Sequence, residues 1–163
     1  MARDHGITRV RIGFDIGQLV HEFVVLRRVI FDVVQKHEPG FNPADSGLTE
    51  LLDSAIGVAV QSYVDAEVEA IAIAKKDKAR TIPILGKLLK LDPAKADDAA
   101  ALSQTYDFYV TTIFPSYPHP TVATFTATRD ALVATNAKVK DLDVSKVIED
   151  KYVADAEKRG VGK

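Results

Sequence analysis

Between Ile16 and Val33 the large apolar residues advance by threes and fours without a break: Ile16, Leu19, Phe23, Leu26, Ile30 and Val33. A strand repeats every two residues and a helix every 3.6, so only a helix gathers these six on one side. Val20, Val24, Phe31 and Val34 widen that face beyond the seam of a two-stranded coiled coil, which favours a bundle. The helix cannot run past "HEPGFNP", because Pro39 and Gly40 stop it and Pro43 reinforces the break.

The same period governs the next segment. "SGLTELLDSAIGVAVQSYVDAEVEAIAIAKK" predicts one long helix, roughly 46–76, opening near Ser46. Its stripe is Leu48, Leu52, Ala55, Ala59, Tyr63, Ala66, Ala70 and Ile73, whose small members let a neighbouring helix approach closely. "KDKART" reads as a turn, with Thr81 capping the next helix and Pro83 in its first turn. "DAAALSQTYDFYVTTIF" predicts a helix with Leu102, Tyr106, Tyr109 and Ile113 on one face. "PSYPHP" must be extended, since three prolines constrain themselves and their predecessors. "TVATFTATRDALVATN", capped by Thr121, and the tail "DVSKVIEDKYVADAEKRG" supply two further helices. No alternating strand pattern occurs. The expected fold is all-α, about six helices in a bundle-like arrangement.

Bulk properties remove several function classes. The 163 residues suit one domain or two small packed units, and an apolar share of 47% is ample for a core. A net charge of −2 lacks the concentrated positive charge that nucleic acid or an anionic membrane requires. With no cysteine there is no disulfide, thiolate metal site or cysteine nucleophile. No apolar run approaches signal-peptide or bilayer-spanning length, so the expected location is the cytoplasm.

The basic residues divide unevenly. Residues 1–66 hold five arginines and one lysine, whereas residues 67–163 hold three arginines and twelve lysines. Helix physics demands no such shift. From about Glu69 onward, "EAIAIAKKDKARTIPILGKLLKLD" and "TYDFYVTTIFPSYPHPTVATFTATRDALVATNAKVKDLDVSKVIEDKYVADAEKRG" resemble the C-terminal helical segment of periplasmic substrate-binding proteins. The group is that of the nitrate/sulfonate/taurine and thiamine-precursor ABC importers, and "TVATFTATRDAL" departs from its pattern. Over residues 5–66, "HGITRVRIGFDIGQLVHEFVVLRRVIFDVV" and "LTELLDSAIGVAVQSYVDA" resemble part of a helical N-terminal module. That module belongs to bacterial sensor histidine kinases and RsbR-type co-antagonists. The resemblances imply two segments, 1–66 and 67–163, joined within a helix around one shared core. Neither relative is complete: almost all of both α/β lobes of the importer proteins is absent, and no phosphorylation box or ATP-binding lobe follows the kinase-like part.

Candidate chemistry is sparse. His5, His21, His37 and His119 show no spacing that sets two on one helical face, so no metal site is expected. His21 and Glu22 lie about 100° apart around a helix and cannot grip one ion together. His119, pinned between Pro118 and Pro120, is the most rigidly held. Arg27 and Arg28, with Arg9 and Arg11, form an anion site only if the first two segments fold together. Gly13 is expected to end a turn, with Asp15 capping the helix after it. No glycine-rich phosphate loop and no nucleophile elbow are present, and no cofactor is implied.

The sequence therefore predicts a non-enzymatic helical interaction or sensor-like module. It self-associates as a homo-oligomer, with Leu19, Phe23, Leu26 and Ile30 as contact residues. Neither nucleic acid nor membrane is an expected partner. One rival is a small-molecule binder lined by Tyr63, Tyr106 or Tyr109, although helical spacing gives Tyr106 and Tyr109 to a core first. Another is an enzyme with a weak, newly acquired hydrolytic activity using His21, Glu22 and His119.

Overall fold

A computed structural model describes residues 16–42 and 47–163. His5, Arg9, Arg11, Gly13, Asp15, Pro43, Ser46 and the Leu19 side chain lie outside the described residues, and so do the expectations placed on them. Among the described residues six α-helices succeed one another: α1 Ile16–His37, α2 Leu48–Lys76, α3 Lys78–Leu89, α4 Ala96–Thr105, α5 Val122–Val133 and α6 Lys151–Arg159. A π-helical segment, Tyr106–Ile113, continues α4, and 3₁₀ turns at Ala137–Val139 and Val144–Lys146 precede α6. No strand occurs among the described residues, and the chain is all-α. It divides into two compact units, with the boundary between Glu67 and Val68, inside α2.

In the first unit Phe31 of α1 meets Phe41 of the following loop, ring centroids 6.4 Å apart. Arg27 reaches Asp53 of α2 at 2.9 Å. Both members of that pair are more than a third exposed, so the bridge orients more than it stabilises. Ala59, Val60 and Ser62 are buried on α2, and the Ser62 hydroxyl is satisfied by the Val58 carbonyl at 2.9 Å.

In the second unit α2 passes almost directly into α3. Asp77 alone separates them, and its carboxylate accepts from the Arg80 N–H at 2.9 Å. This corrects the expectation of a longer turn capped by Thr81. Thr81 lies buried inside α3 and donates its hydroxyl back to the Asp77 carbonyl at 2.8 Å. A four-residue back-bond of this kind keeps a threonine within a helix. α3 ends where Lys90 turns left-handed. Gly86 is required just before that end, because a Cβ there would sit 2.9 Å from the Leu91 carbonyl oxygen.

The aromatic run departs from the expected single helix. The Asp107 carbonyl accepts the Thr111 hydroxyl and also the Thr112 hydroxyl, the latter at 3.2 Å. These bonds compete with the ordinary backbone ladder. The turn widens, and the Phe114 N–H reaches five residues back to Tyr109 at 2.8 Å. The buried series becomes Leu102, Tyr106 and Val110, while Tyr109 and Ile113 are half exposed. Val144, Val153 and Ala156 are also buried in this unit. Thr121 caps α5 as expected, accepting from the Thr124 N–H at 3.2 Å.

Candidate functional site

Two features of α1 come straight from its sequence. Phe23, Ile30 and Val34 lie half-buried on one side, together with Arg27 and Phe31. Leu26, Val29 and Val33 follow their own three-and-four spacing about a quarter-turn further round the helix, 48–53% exposed, with Val25 beside them. The predicted seam is thus divided: Phe23 and Ile30 turn inward, Leu26 and Val33 outward. The apolar face of α1 is therefore wider than the part that is covered, and its uncovered edge faces solvent. On the other side of α1 from that stripe, an open cleft of about 480 Å³ is lined by Val24, Arg27, Arg28, Phe31, Asp32 and Gln35. The Arg27 guanidinium there is already committed to Asp53 and to the Phe31 ring, 5.5 Å from its centroid.

The three candidate tyrosines have different surroundings. Tyr63 is half-buried on α2 in the first unit. Tyr106 is buried, and its hydroxyl donates to the Ala74 carbonyl at 2.8 Å and the Lys75 carbonyl at 3.2 Å. It thereby satisfies carbonyls that the end of α2 leaves without helical partners. Lys78 closes over the same ring at 5.0 Å, with its ammonium on Ser103 at 2.9 Å and Asp107 at 2.7 Å. Tyr109 is half exposed, edge-on to Phe108 at 5.0 Å and 6.5 Å from Phe114.

A half-enclosed cleft of about 330 Å³ lies where the C-terminal residues return to α2. Val68, Ala72, Tyr117 and Val161 make its apolar walls, and Lys75 and Lys76 stand at its edge. The tail is held there by three contacts. Tyr117 donates its hydroxyl to the Val161 carbonyl at 3.0 Å, and Lys76 donates to the Gly162 carbonyl at 3.1 Å. Gly162 adopts a positive φ of +80° and lies so close to α2 that a Cβ would approach Ala72 to 2.9 Å. None of the candidate tyrosines lines either cleft.

His119 is the residue whose setting the sequence hid. Its Nδ1 lies 2.8 Å from Asp150 Oδ1, and its Nε2 lies 3.1 Å from Glu157 Oε2. The Asp150 hydrogen bond leads, with Glu157 adding to it, in raising the imidazole pKa above its ordinary 6.5; partial desolvation opposes them. The seven-residue spacing of Asp150 and Glu157 on a helix is visible in the sequence, but nothing there points to His119 as their common partner. His21 is exposed on α1, in the other unit. Among the described residues no three histidine or acidic side chains are grouped to hold a metal ion, and no helix is long and apolar enough to cross a membrane. No family model, curated protein or solved structure matches this chain.

Proposed function

We propose that the chain is a non-enzymatic helical interaction module that associates with a second copy of itself through the outer face of α1. The observation that carries this reading is the exposure of Leu26, Val29 and Val33 on a helix whose other face is already occupied. Covering apolar surface contributes roughly 25 cal/mol per Å², so a bare stripe along about two turns is a reason to dimerise. The exposed rings of Phe108 and Tyr109 are a weaker surface, because they already pack against each other. An origin in two fragments of larger helical folds, as the family resemblances imply, accounts for a face that has lost its cover. His119 supports a structural reading, since both ring nitrogens face carboxylates that tie two segments together. Light scattering at micromolar concentration tests the proposal. Wild type is expected at twice the chain mass and the Val29→Lys/Val33→Lys double variant at the chain mass; a monomeric wild type refutes it.

The tail cleft favours a second reading as a small-molecule binder. Its apolar walls and lysine edge suit a small organic anion such as a sulfonate. A thermal-shift screen with sulfonates, nitrate and pyrimidines checks this, since a ligand of the folded state must raise the melting temperature.

A further inference from the structure

We propose that His119, Asp150 and Glu157 form a proton-operated clasp that fastens the Pro115–Pro120 segment to α6 and releases it as the imidazole loses its second proton. The geometry sets the requirement. Asp150 and Glu157 stand seven residues apart, two turns of one helix face, and so roughly 10 Å apart along its axis. The imidazole lies between them with one nitrogen toward each carboxylate. Ionised carboxylates only accept hydrogen bonds, and only the imidazolium donates from both nitrogens. A neutral ring in either tautomer keeps one bond and turns a lone pair toward the other carboxylate. Deprotonation therefore removes one arm and replaces it with repulsion.

Among the described residues, the neighbouring ion pairs of α6 join other partners and do not bridge Asp150 and Glu157. Lys151 pairs with Glu149 at 3.3 Å and lies 4.9 Å from the Tyr152 ring centre. Arg159 holds Asp155 at 2.7 Å. Lys158 follows Glu157 by one residue, about 100° further round the helix. Tyr117, the phenol-bearing residue of the proline segment, donates a hydrogen bond from its hydroxyl to the Val161 carbonyl. Pro118 and Pro120 fix the backbone on both sides of His119, so a change at the ring is passed to the segment instead of being absorbed by local rotation. Ser116 and Tyr117 form one wall of the tail cleft, which places that wall under the control of the clasp.

The sign follows from the raised pKa of the folded state. The tether is complete below the ordinary value of 6.5 and is lost as pH rises through the higher folded value. The ring is 36% exposed, so solvent weakens the pairing and its release is local.

The test is an NMR titration of the His119 ring in wild type, Asp150→Asn and Glu157→Gln, with the backbone amides of Ser116, Tyr117 and His119 followed in the same samples. Asp150 makes no side-chain capping bond to α6, so its substitution leaves the helix start intact. Wild type is expected to titrate above 6.5, each variant closer to 6.5, and the three amides with the same midpoint as the ring. In His119→Gln the amide step is expected to vanish while the fold persists. A wild-type midpoint at or below 6.5, an effect from only one carboxamide variant, or amides that stay still through the ring titration overturns the clasp.

Discussion

In the Val68–Lys163 unit, Leu102 and Ala156 are fully enclosed, and side chains reach far along the sequence to backbone carbonyls: Tyr106 to Ala74, Tyr117 to Val161, Lys76 to Gly162. In the preceding unit the buried positions among the described residues are Ala59, Val60 and Ser62, all on α2, and no described side chain of α1 is fully buried. Both units are rich in apolar residues, so composition does not separate them. The arrangement does. The second unit closes around Leu102, Tyr106, Val110 and Ala156, although Ile84 and Leu88 of α3 stay exposed. By contrast, α1 has one wide apolar face on which Leu26, Val29 and Val33 stay uncovered. The second unit therefore has an enclosed core of its own, and the uncovered edge of α1 is the surface that the proposed self-association uses.

This contrast can be broken from either side. The largest effect is expected at Leu102→Ala: emptying a fully buried leucine site costs about 2–5 kcal/mol, read from urea unfolding of the Val68–Lys163 unit. Loss of self-association is expected for Val29→Lys and Val33→Lys, while the stability of the second unit stays within about 0.5 kcal/mol of wild type, as surface changes do. If either lysine instead lowers the unfolding midpoint of the second unit, the two regions do not divide the packing between them in this manner. Tyr106→Phe is expected to cost about 1 kcal/mol, by removing a donor shared by two carbonyls at the end of α2. Its α2 amides near Lys76 should exchange faster, and unchanged exchange would show the hydroxyl to be dispensable. The smallest effect belongs to His119→Gln. Wild-type stability should decline slightly as pH rises from about 6 to about 8, and the variant should lose that decline.

Much of the fold is legible in the sequence because it rests on local rules. The 3.6-residue period locates α1 and α2, and Thr121 marks the start of α5 through its capping hydroxyl. The departures are decided by bonds that spacing does not display. Asp77 displaces Thr81 as the cap because its carboxylate reaches the Arg80 N–H while the Thr81 hydroxyl turns back to Asp77. Two threonine hydroxyls on one carbonyl widen the turn after Tyr106, which moves the buried position from Tyr109 to Val110. The candidate site is less legible still. The Ile16–Val33 spacing reads as one seam, although its two interleaved sets differ in burial: Phe23 and Ile30 are half-buried, Leu26 and Val33 exposed. His119 stands out in the sequence only for its flanking prolines, since its partners lie 31 and 38 residues away.

The central claim is that the outer face of α1 meets the same face of another copy. Isotope-filtered NOE spectroscopy on an equimolar mixture of labelled and unlabelled chains reads this directly. The expected result is intermolecular contacts from the methyl groups of Leu26, Val29 and Val33, with none from Phe108 or Tyr109. Absence of intermolecular contacts at those three residues, or contacts confined to the aromatic segment, contradicts the claim.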